Sequence, residues 1–160
     1  MNRLWYRRLG LVLLLVGALF VWRDRIAFEL GYAYANGDFH GWTLARDDDK
    51  AAVWLRRAAE AGHARARYML GLSYSRGWGV RRDDAEAERW FNLAADQGYA
   101  QACFHLAWMY HKGEGVARDE DRAQRLMARA AELGMADAAL ALARFRRDAA
   151  GRRAASGAGG

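Results

Sequence analysis

The sequence predicts an all-α protein, a short α-solenoid of helix-turn-helix repeats of about 36 residues each that follows an N-terminal membrane-anchor helix. Three observations lead to this fold class. The segment 84–119 is largely a copy of the segment 48–83, with 15 identities and no gap, and the apolar residues recur at helical rather than strand spacing. An uncharged apolar run also lies near the N-terminus, and the chain contains no proline.

The apolar run is Leu9–Trp22, and it follows Arg3, Arg7 and Arg8. A helix of this length spans about 21 Å, less than the ~30 Å hydrocarbon core, so the run fits a short anchor or the apolar part of a signal peptide. No A-x-A-like cleavage site follows it, and aromatic residues flank it. We therefore expect residues 1–24 to be an uncleaved signal anchor. The alternatives are a cleaved signal peptide and a buried apolar helix of a soluble protein.

The charges that flank this run predict its orientation. Three arginines and the amino terminus precede it, whereas Arg23, Asp24 and Arg25 follow it. Because positive charge is retained on the cytoplasmic side, we expect the N-terminus in the cytoplasm and the repeats across the membrane.

The residues after the anchor resemble half of a repeat. The sequence LGYAYANG at 30–37 resembles LGLSYSRG at 70–77, at an offset of 40 rather than 36 residues. Four extra residues in the loop GDFHGWTLARDD account for the difference. We expect residues 25–47 to be a degenerate leading half-repeat and loop, whose first helix is replaced by the anchor.

Each full repeat, 48–83 and 84–119, predicts two helices joined by a glycine turn. An Asp at 48 or 49 is expected to cap the first helix, and Gly62 to end it. The loop after the second helix carries two glycines where positive φ is needed, followed by Val80 as a buried residue. The predicted structural positions are Trp54, Gly62, Leu70, Tyr74, Gly77, Gly79, Trp90, Gly98, Leu106, Tyr110, Gly113, Gly115 and Gly134.

The third copy of the repeat is incomplete. Residues 120–148 continue the helical pattern, but after Phe145 no G-x-G-V-x-x-D loop follows. We expect either a full repeat or a capping helix pair there. Residues 149–160 contain mostly Arg, Ala, Ser and Gly, and we expect them to form a disordered tail.

The shared positions form the pattern A-x-x-W-x-x-x-A-A-x-x-G-x-A-x-A-x-x-x-L followed by Y-x-x-G-x-G-V-x-x-D. This pattern resembles the Sel-one-like repeat, a relative of the tetratricopeptide repeat, over about residues 30–147. The resemblance implies a helical solenoid and, with the anchor pattern, a bacterial protein. A cysteine-rich secreted branch of this family staples its helix pairs with disulfides, which the single Cys103 cannot do within one chain.

The sequence does not predict catalytic residues, a metal site or a cofactor. Cys103 and His105 lie two residues apart on a predicted helix and therefore point in different directions. The chain has neither a second cysteine nor a C-x-x-C or H-E-x-x-H motif. The glycine loops are too short for a phosphate cradle. We therefore expect no enzymatic activity.

Binding is predicted where the repeats differ. If the first helices line the concave face, the variable positions outside the core form a basic and partly apolar column that suits an acidic or C-terminal peptide segment. The alternative is that these are only solvated positions. The candidate partner-binding residues are Val53, Arg56, Arg57, Arg89, Asn92, Leu93, Arg125 and Arg129, with Trp78 as an aromatic anchor.

These observations predict a non-enzymatic, membrane-tethered scaffold for a protein or peptide partner, in a bacterial inner membrane with its repeats in the periplasm. One alternative is a basic surface that binds nucleic acid or anionic lipid, since the net charge is +6. Nucleic acid is not favoured, because the arginines are interleaved with Asp and Glu. A second alternative is a periplasmic or secreted soluble repeat protein left after signal cleavage.

Overall fold

The computed structural model describes residues 22–39, 42–43 and 45–157. Of the predicted anchor, only the residues from Trp22 onward lie within this part of the chain. None of the helices in the described ranges is both long and apolar enough to cross a membrane. The elements are α1 (22–36), β1 (Asp38–Phe39), β2 (Trp42–Thr43), α2 (Asp48–Glu60), α3 (Ala64–Arg76), α4 (Asp84–Asp96), α5 (Ala100–Lys112), α6 (Glu120–Glu132) and α7 (Ala136–Gly157).

The predicted helical solenoid is confirmed, and its period appears directly in the helix starts. The helices α2, α4 and α6 begin at Asp48, Asp84 and Glu120, and each has 13 residues. In the leading loop, β1 and β2 pair antiparallel, with Asp38 opposite Thr43. The 36-residue period of the sequence therefore reappears as a 36-residue spacing between the starts of α2, α4 and α6.

The N-cap of α2 lies one residue earlier than predicted. Asp47 is extended, and its Oδ1 accepts a hydrogen bond from the backbone N of Lys50 at 3.0 Å. Asp48 and Asp49 instead occupy the first helical turn, where their negative charges face the positive end of the helix dipole. Asp83 and Asp119 cap α4 and α6 in the same way.

The glycine loop after α3 packs on the start of α2. Gly79 has φ +64°, as predicted, and a Cβ there would overlap the carbonyl group of Asp48. Both the backbone conformation and the lack of space therefore require glycine. Val80, expected to be buried, is only half-buried, because this loop lies along the edge of the core rather than inside it.

The helices pack most closely across the boundaries between the predicted repeats, α3 on α4 and α5 on α6. A side chain at Gly71 in α3 would place its Cβ 2.6 Å from Cε1 of Phe91 in α4. Gly31 meets Leu55 in the same way at the preceding interface. The equivalent pair one repeat later is Ala107 and Met127, both fully buried. A small residue on one helix therefore admits a bulky residue of the next.

The C-terminal end differs from the prediction. Residues 120–148 form the pair α6 and the first part of α7, and α7 continues to Gly157, so residues 149–157 are helical rather than disordered. Alanine and arginine are strong helix formers, which favours continuation of the helix through this segment. Residues 158–160 lie outside the described part of the chain.

Candidate functional site

Two cavities of the same kind lie one repeat apart on the side of the array where the first helices and the glycine loops meet. The Tyr74 cavity has a volume of about 820 Å³ and is lined by Arg56, Tyr74, Val80, Arg81, Arg82, Asp83, Glu86 and Arg89. The Tyr110 cavity has a volume of about 620 Å³ and is lined by Glu88, Tyr110, Gly115, Val116, Ala117, Arg118, Asp119, Glu120, Asp121 and Arg122. Tyr74 and Tyr110 occupy equivalent repeat positions.

In the Tyr74 cavity an arginine is the partner of the tyrosine. The Arg56 Nη2 donates to the Tyr74 Oη at 2.6 Å, and its guanidinium lies 5.6 Å from the ring centroid. Arg89 enters from α4, where its Nη1 lies 3.1 Å from Glu86 Oε2 and its guanidinium 5.0 Å from the Trp90 ring. Ring stacking and hydrogen bonds therefore hold both arginines at the cavity wall.

In the Tyr110 cavity the hydrogen-bond partner of the tyrosine is a carboxylate. The Tyr110 hydroxyl donates to Glu88 Oε1, and Arg122 lies 4.2 Å above the tyrosine ring. Burial, with the hydrogen bond to Glu88 and the charge of that carboxylate, raises the pKa of Tyr110 to about 12. Tyr110 is therefore a protonated donor at neutral pH.

The two cavities have opposite charge. Four arginines and two carboxylates line the Tyr74 cavity, whereas four carboxylates and two arginines line the Tyr110 cavity. Some of these charges form ion pairs with each other, such as Arg118 with Glu120 at 3.3 Å. The excess is positive in one cavity and negative in the next. The cavities share the tyrosine and loop positions, but Glu88, Glu120 and Asp121 add carboxylates at positions whose equivalents do not line the Tyr74 cavity.

Trp78, predicted to be an aromatic anchor, lies in a different cavity. The Trp78 cavity has a volume of about 270 Å³ and is lined by Ala35, Asn36, Arg46, Asp48, Ala51, Leu55, Met69, Leu72, Ser73 and Trp78. The ring is 38% exposed and has the Arg76 guanidinium 4.5 Å from its centroid. Trp78 therefore does not share a cavity with Arg56 and Arg89.

The predicted column of binding residues divides into two groups. Five arginines and one valine are exposed: Arg56, Arg57, Arg89, Arg125, Arg129 and Val53. Asn92 and Leu93 are half-buried and are not free surface positions. The Asn92 Nδ2 donates to the Glu88 carbonyl at 3.0 Å, and Leu93 packs against the core. Within this column, Arg56 and Arg89 line the Tyr74 cavity together.

Sequence reasoning missed Glu88 and Arg122 as site residues. It treated Tyr110 as a packing residue because tyrosine is shared between the repeats. Glu88 lies outside the predicted column of variable positions, and its equivalent in the preceding repeat, Ala52, is buried. The signal that could have found it is the charge that appears where the preceding repeat has alanine, on the helix face that approaches the shared tyrosine.

The remaining reactive side chains are not arranged for chemistry in the described part of the chain. Cys103 is fully buried, and burial raises the pKa of its thiol. Burial also lowers the pKa of His105, and the charge of Arg76 lowers it further. The described residues contain no group of three His, Cys, Asp or Glu side chains placed to hold a metal ion. What the cavities present is charge and hydrogen bonding.

Comparison with solved structures finds relatives with the same repeat. A Sel1 repeat protein from Oxalobacter formigenes is 31% identical, with a TM-score of 0.70, over 76% of this chain and 49% of the relative. The uropathogenic Escherichia coli protective antigen c5321, which has an SLR fold, is 40% identical, with a TM-score of 0.64, over 69% of this chain and 23% of the antigen. The chain thus spans about half of the first relative and a quarter of the second.

A more distant structure supports the fold alone. Cysteine rich protein B from Helicobacter pylori is 21% identical, with a TM-score of 0.60, over 77% of this chain and 91% of that protein. The comparison with curated protein sequences finds no significant match.

The family model for the Sel1 repeat matches residues 27–63, 64–99 and 100–135. Each match begins with the second helix of a predicted repeat and ends after the first helix of the next one. The match at 64–99 therefore contains α3 and α4, and the match at 100–135 contains α5 and α6. These are the helix pairs that pack most closely. The matches cover most of the chain and follow its strongest packing, and the chain therefore belongs to the Sel1 repeat family.

Proposed function

We propose that this protein is a non-enzymatic scaffold that binds a protein partner at the Tyr74 cavity and the exposed arginines around it. Sel1 repeat proteins generally mediate protein–protein interaction and are typically non-enzymatic. The observation that carries the proposal for this chain is that Arg56 of α2 and Arg89 of α4 line one cavity, although 33 residues separate them.

The chemistry of the cavity suits a carboxylate of the partner. Each guanidinium offers planar, paired donors that match a carboxylate. Arg81 lines the same cavity, and no carboxylate of the described residues pairs with it. Val53 is 67% exposed one helical turn before Arg56 and Arg57, and it supplies an apolar contact beside the charges.

Site-specific photocrosslinking in cells tests this proposal. A photoreactive amino acid at Val53 should capture a discrete protein partner. The same amino acid at Gln101, an exposed position outside the three cavities described above, should not. Arg56→Ala and Arg89→Ala should each reduce capture at position 53. Arg144→Ala is the matched control, because it removes an exposed guanidinium from α7.

Equal capture at both positions, or capture that Arg56→Ala and Arg89→Ala leave unchanged, would contradict the proposal. Binding that instead falls steeply with salt and is transferred to any polyanion would favour a nucleic-acid or anionic-lipid surface.

The same proposal includes a tether to a bacterial inner membrane, with the repeats in the periplasm. Its support is the charge pattern around Leu9–Trp22 described above. Reporters active only in the periplasm or only in the cytoplasm, fused after Gly160, test it. Periplasmic activity in the membrane fraction is the expected result. Cytoplasmic activity would contradict the orientation, and activity in the soluble periplasmic fraction would contradict the tether.

A further inference from the structure

We propose that the bound segment of the partner is bipolar, with acidic residues in the Tyr74 cavity and basic residues in the Tyr110 cavity. The inference rests on the proposed function and adds the chemistry of the ligand. It follows from the opposite hydrogen-bonding roles of two equivalent tyrosines and the opposite charge of the cavities that they line.

At Tyr74 the hydroxyl oxygen accepts from Arg56 at 2.6 Å. Among the described residues no acceptor takes the proton of that hydroxyl, so it is available to a ligand. Arg81 and Arg89 line the same cavity. The polar groups that face a ligand here are mainly hydrogen-bond donors, and a carboxylate is the group that accepts from several of them at once.

At Tyr110 the roles are reversed. The hydroxyl donates its proton to Glu88 Oε1, and the second oxygen of that carboxylate accepts no hydrogen bond from the described residues. Arg122 lies over the tyrosine ring rather than in an ion pair with Glu88. The half-buried Glu88 carboxylate therefore offers an acceptor to a cationic side chain of the ligand.

The repeat geometry joins the two cavities into one polarised surface. They are 36 residues apart in the sequence, and α4 contributes Glu86 and Arg89 to one and Glu88 to the other. A segment that crosses α4 meets positive charge on one side and negative charge on the other. A uniformly charged segment is attracted on one side and repelled on the other, so the surface selects a ligand of mixed charge.

Three fluorescently labelled 12-residue peptides test the inference by fluorescence anisotropy with the full-length protein. The bipolar peptide has a glutamate block followed by a lysine block, and the two uniform peptides contain glutamate only or lysine only. The bipolar peptide should bind about fivefold more tightly than either uniform peptide, the factor that one surface ion pair supplies at the upper end of its range. Chemical-shift mapping with the two uniform peptides should place the glutamate peptide near Arg56 and the lysine peptide near Glu88.

A charge exchange separates recognition from a merely structural role. Arg56→Glu leaves three arginines and three carboxylates in the Tyr74 cavity, and Glu88→Arg leaves the same numbers in the Tyr110 cavity. Each variant should therefore weaken binding of the bipolar peptide, and the double variant should lose the preference for it over the uniform peptides. In that variant the carboxylate introduced at position 56 can accept from Tyr74, and the guanidinium introduced at position 88 can donate to Tyr110. Both tyrosines therefore keep a partner while the excess charge of each cavity is removed. Arg144→Glu is the control, and it should leave binding unchanged.

Equal binding of the glutamate and bipolar peptides, mapping of both uniform peptides to one cavity, no binding of the bipolar peptide, or an undiminished preference for the bipolar peptide in the double variant would overturn the inference. A partner that is crosslinked at position 53 but lacks adjacent acidic and basic residues would overturn it too, while the proposed function would stand.

Discussion

Replacing Gly71 by alanine tests the packing that sets the spacing of the repeats. The added Cβ would lie 2.6 Å from Cε1 and 2.7 Å from Cδ1 of Phe91, whereas carbon atoms normally pack at about 3.5–4.0 Å. The Phe91 ring is 1% exposed, so it cannot turn into solvent. Either the ring leaves its rotamer or α3 and α4 move apart.

The net effect combines two terms of opposite sign. Overpacking of this kind costs about 1–3 kcal/mol, whereas alanine in place of glycine inside a helix stabilises by up to about 1 kcal/mol. We expect Gly71→Ala to lower the free energy of unfolding by about 1 kcal/mol. Urea denaturation followed by circular dichroism in the far ultraviolet measures it.

A double-mutant cycle removes the propensity term, because that term is the same whether residue 91 is Phe or Met. Gly71→Ala with Phe91→Met recreates the Ala107 and Met127 pair of the next interface. The double variant should therefore be more stable than the sum of the single effects predicts, by about 1 kcal/mol. Additive effects, or a stabilising Gly71→Ala, would refute the close contact between Gly71 and Phe91.

Three further predictions follow from buried or strained positions. Trp90→Ala should cost about 3–5 kcal/mol of unfolding free energy, because the ring is 4% exposed. Trp90→Phe should cost less, since the indole N–H has no partner among the described residues. Near-equal denaturation midpoints for wild type and Trp90→Ala would contradict this burial. Gly79→Ala should cost more than about 1 kcal/mol through its positive φ and its overlap with Asp48, and an unchanged melting temperature would mean that the loop does not pack there. The raised pKa of Tyr110 means that its contribution to stability is complete below pH ~10 and is lost as the pH rises towards about 12. The difference in tyrosinate absorbance between wild type and Tyr110→Phe measures this pKa. Glu88→Gln should lower it, and an unchanged pKa in Glu88→Gln would contradict the role of that carboxylate.

Much of the fold could be predicted because each repeated residue has a local reason for its place. Gly62, Gly77 and Gly79 have positive φ as the pattern predicts, since helix ends and tight turns need conformations that side chains disfavour. The cap at Asp47 could not be distinguished from one at Asp48, because three successive aspartates can all accept from the helix N-terminus. The helical tail was mispredicted because composition alone does not separate a helix extension from a disordered segment.

The candidate site was less predictable because it depends on contacts between helices. Arg56 and Arg89 could be proposed from their variation between repeats, but nothing in the one-dimensional pattern shows that they share a cavity. Leu93 fits the same pattern, yet it packs against the core. The sequence pattern could not identify Glu88 as a site residue, because its partner, the Tyr110 hydroxyl, comes from another helix 22 residues away in the sequence.

The sequence by itself determined the class, the period and the family of this protein, because a repeat of helical spacing encodes its own neighbours and each unit packs only on the next. The tertiary structure alone decided which helices pack most closely and which arginines remain exposed. It also decided that two equivalent tyrosines have opposite partners. The physical reason is that local propensity and periodicity act along the chain, whereas burial, cavity charge and hydrogen-bond direction depend on side chains that meet only when successive helices pack together.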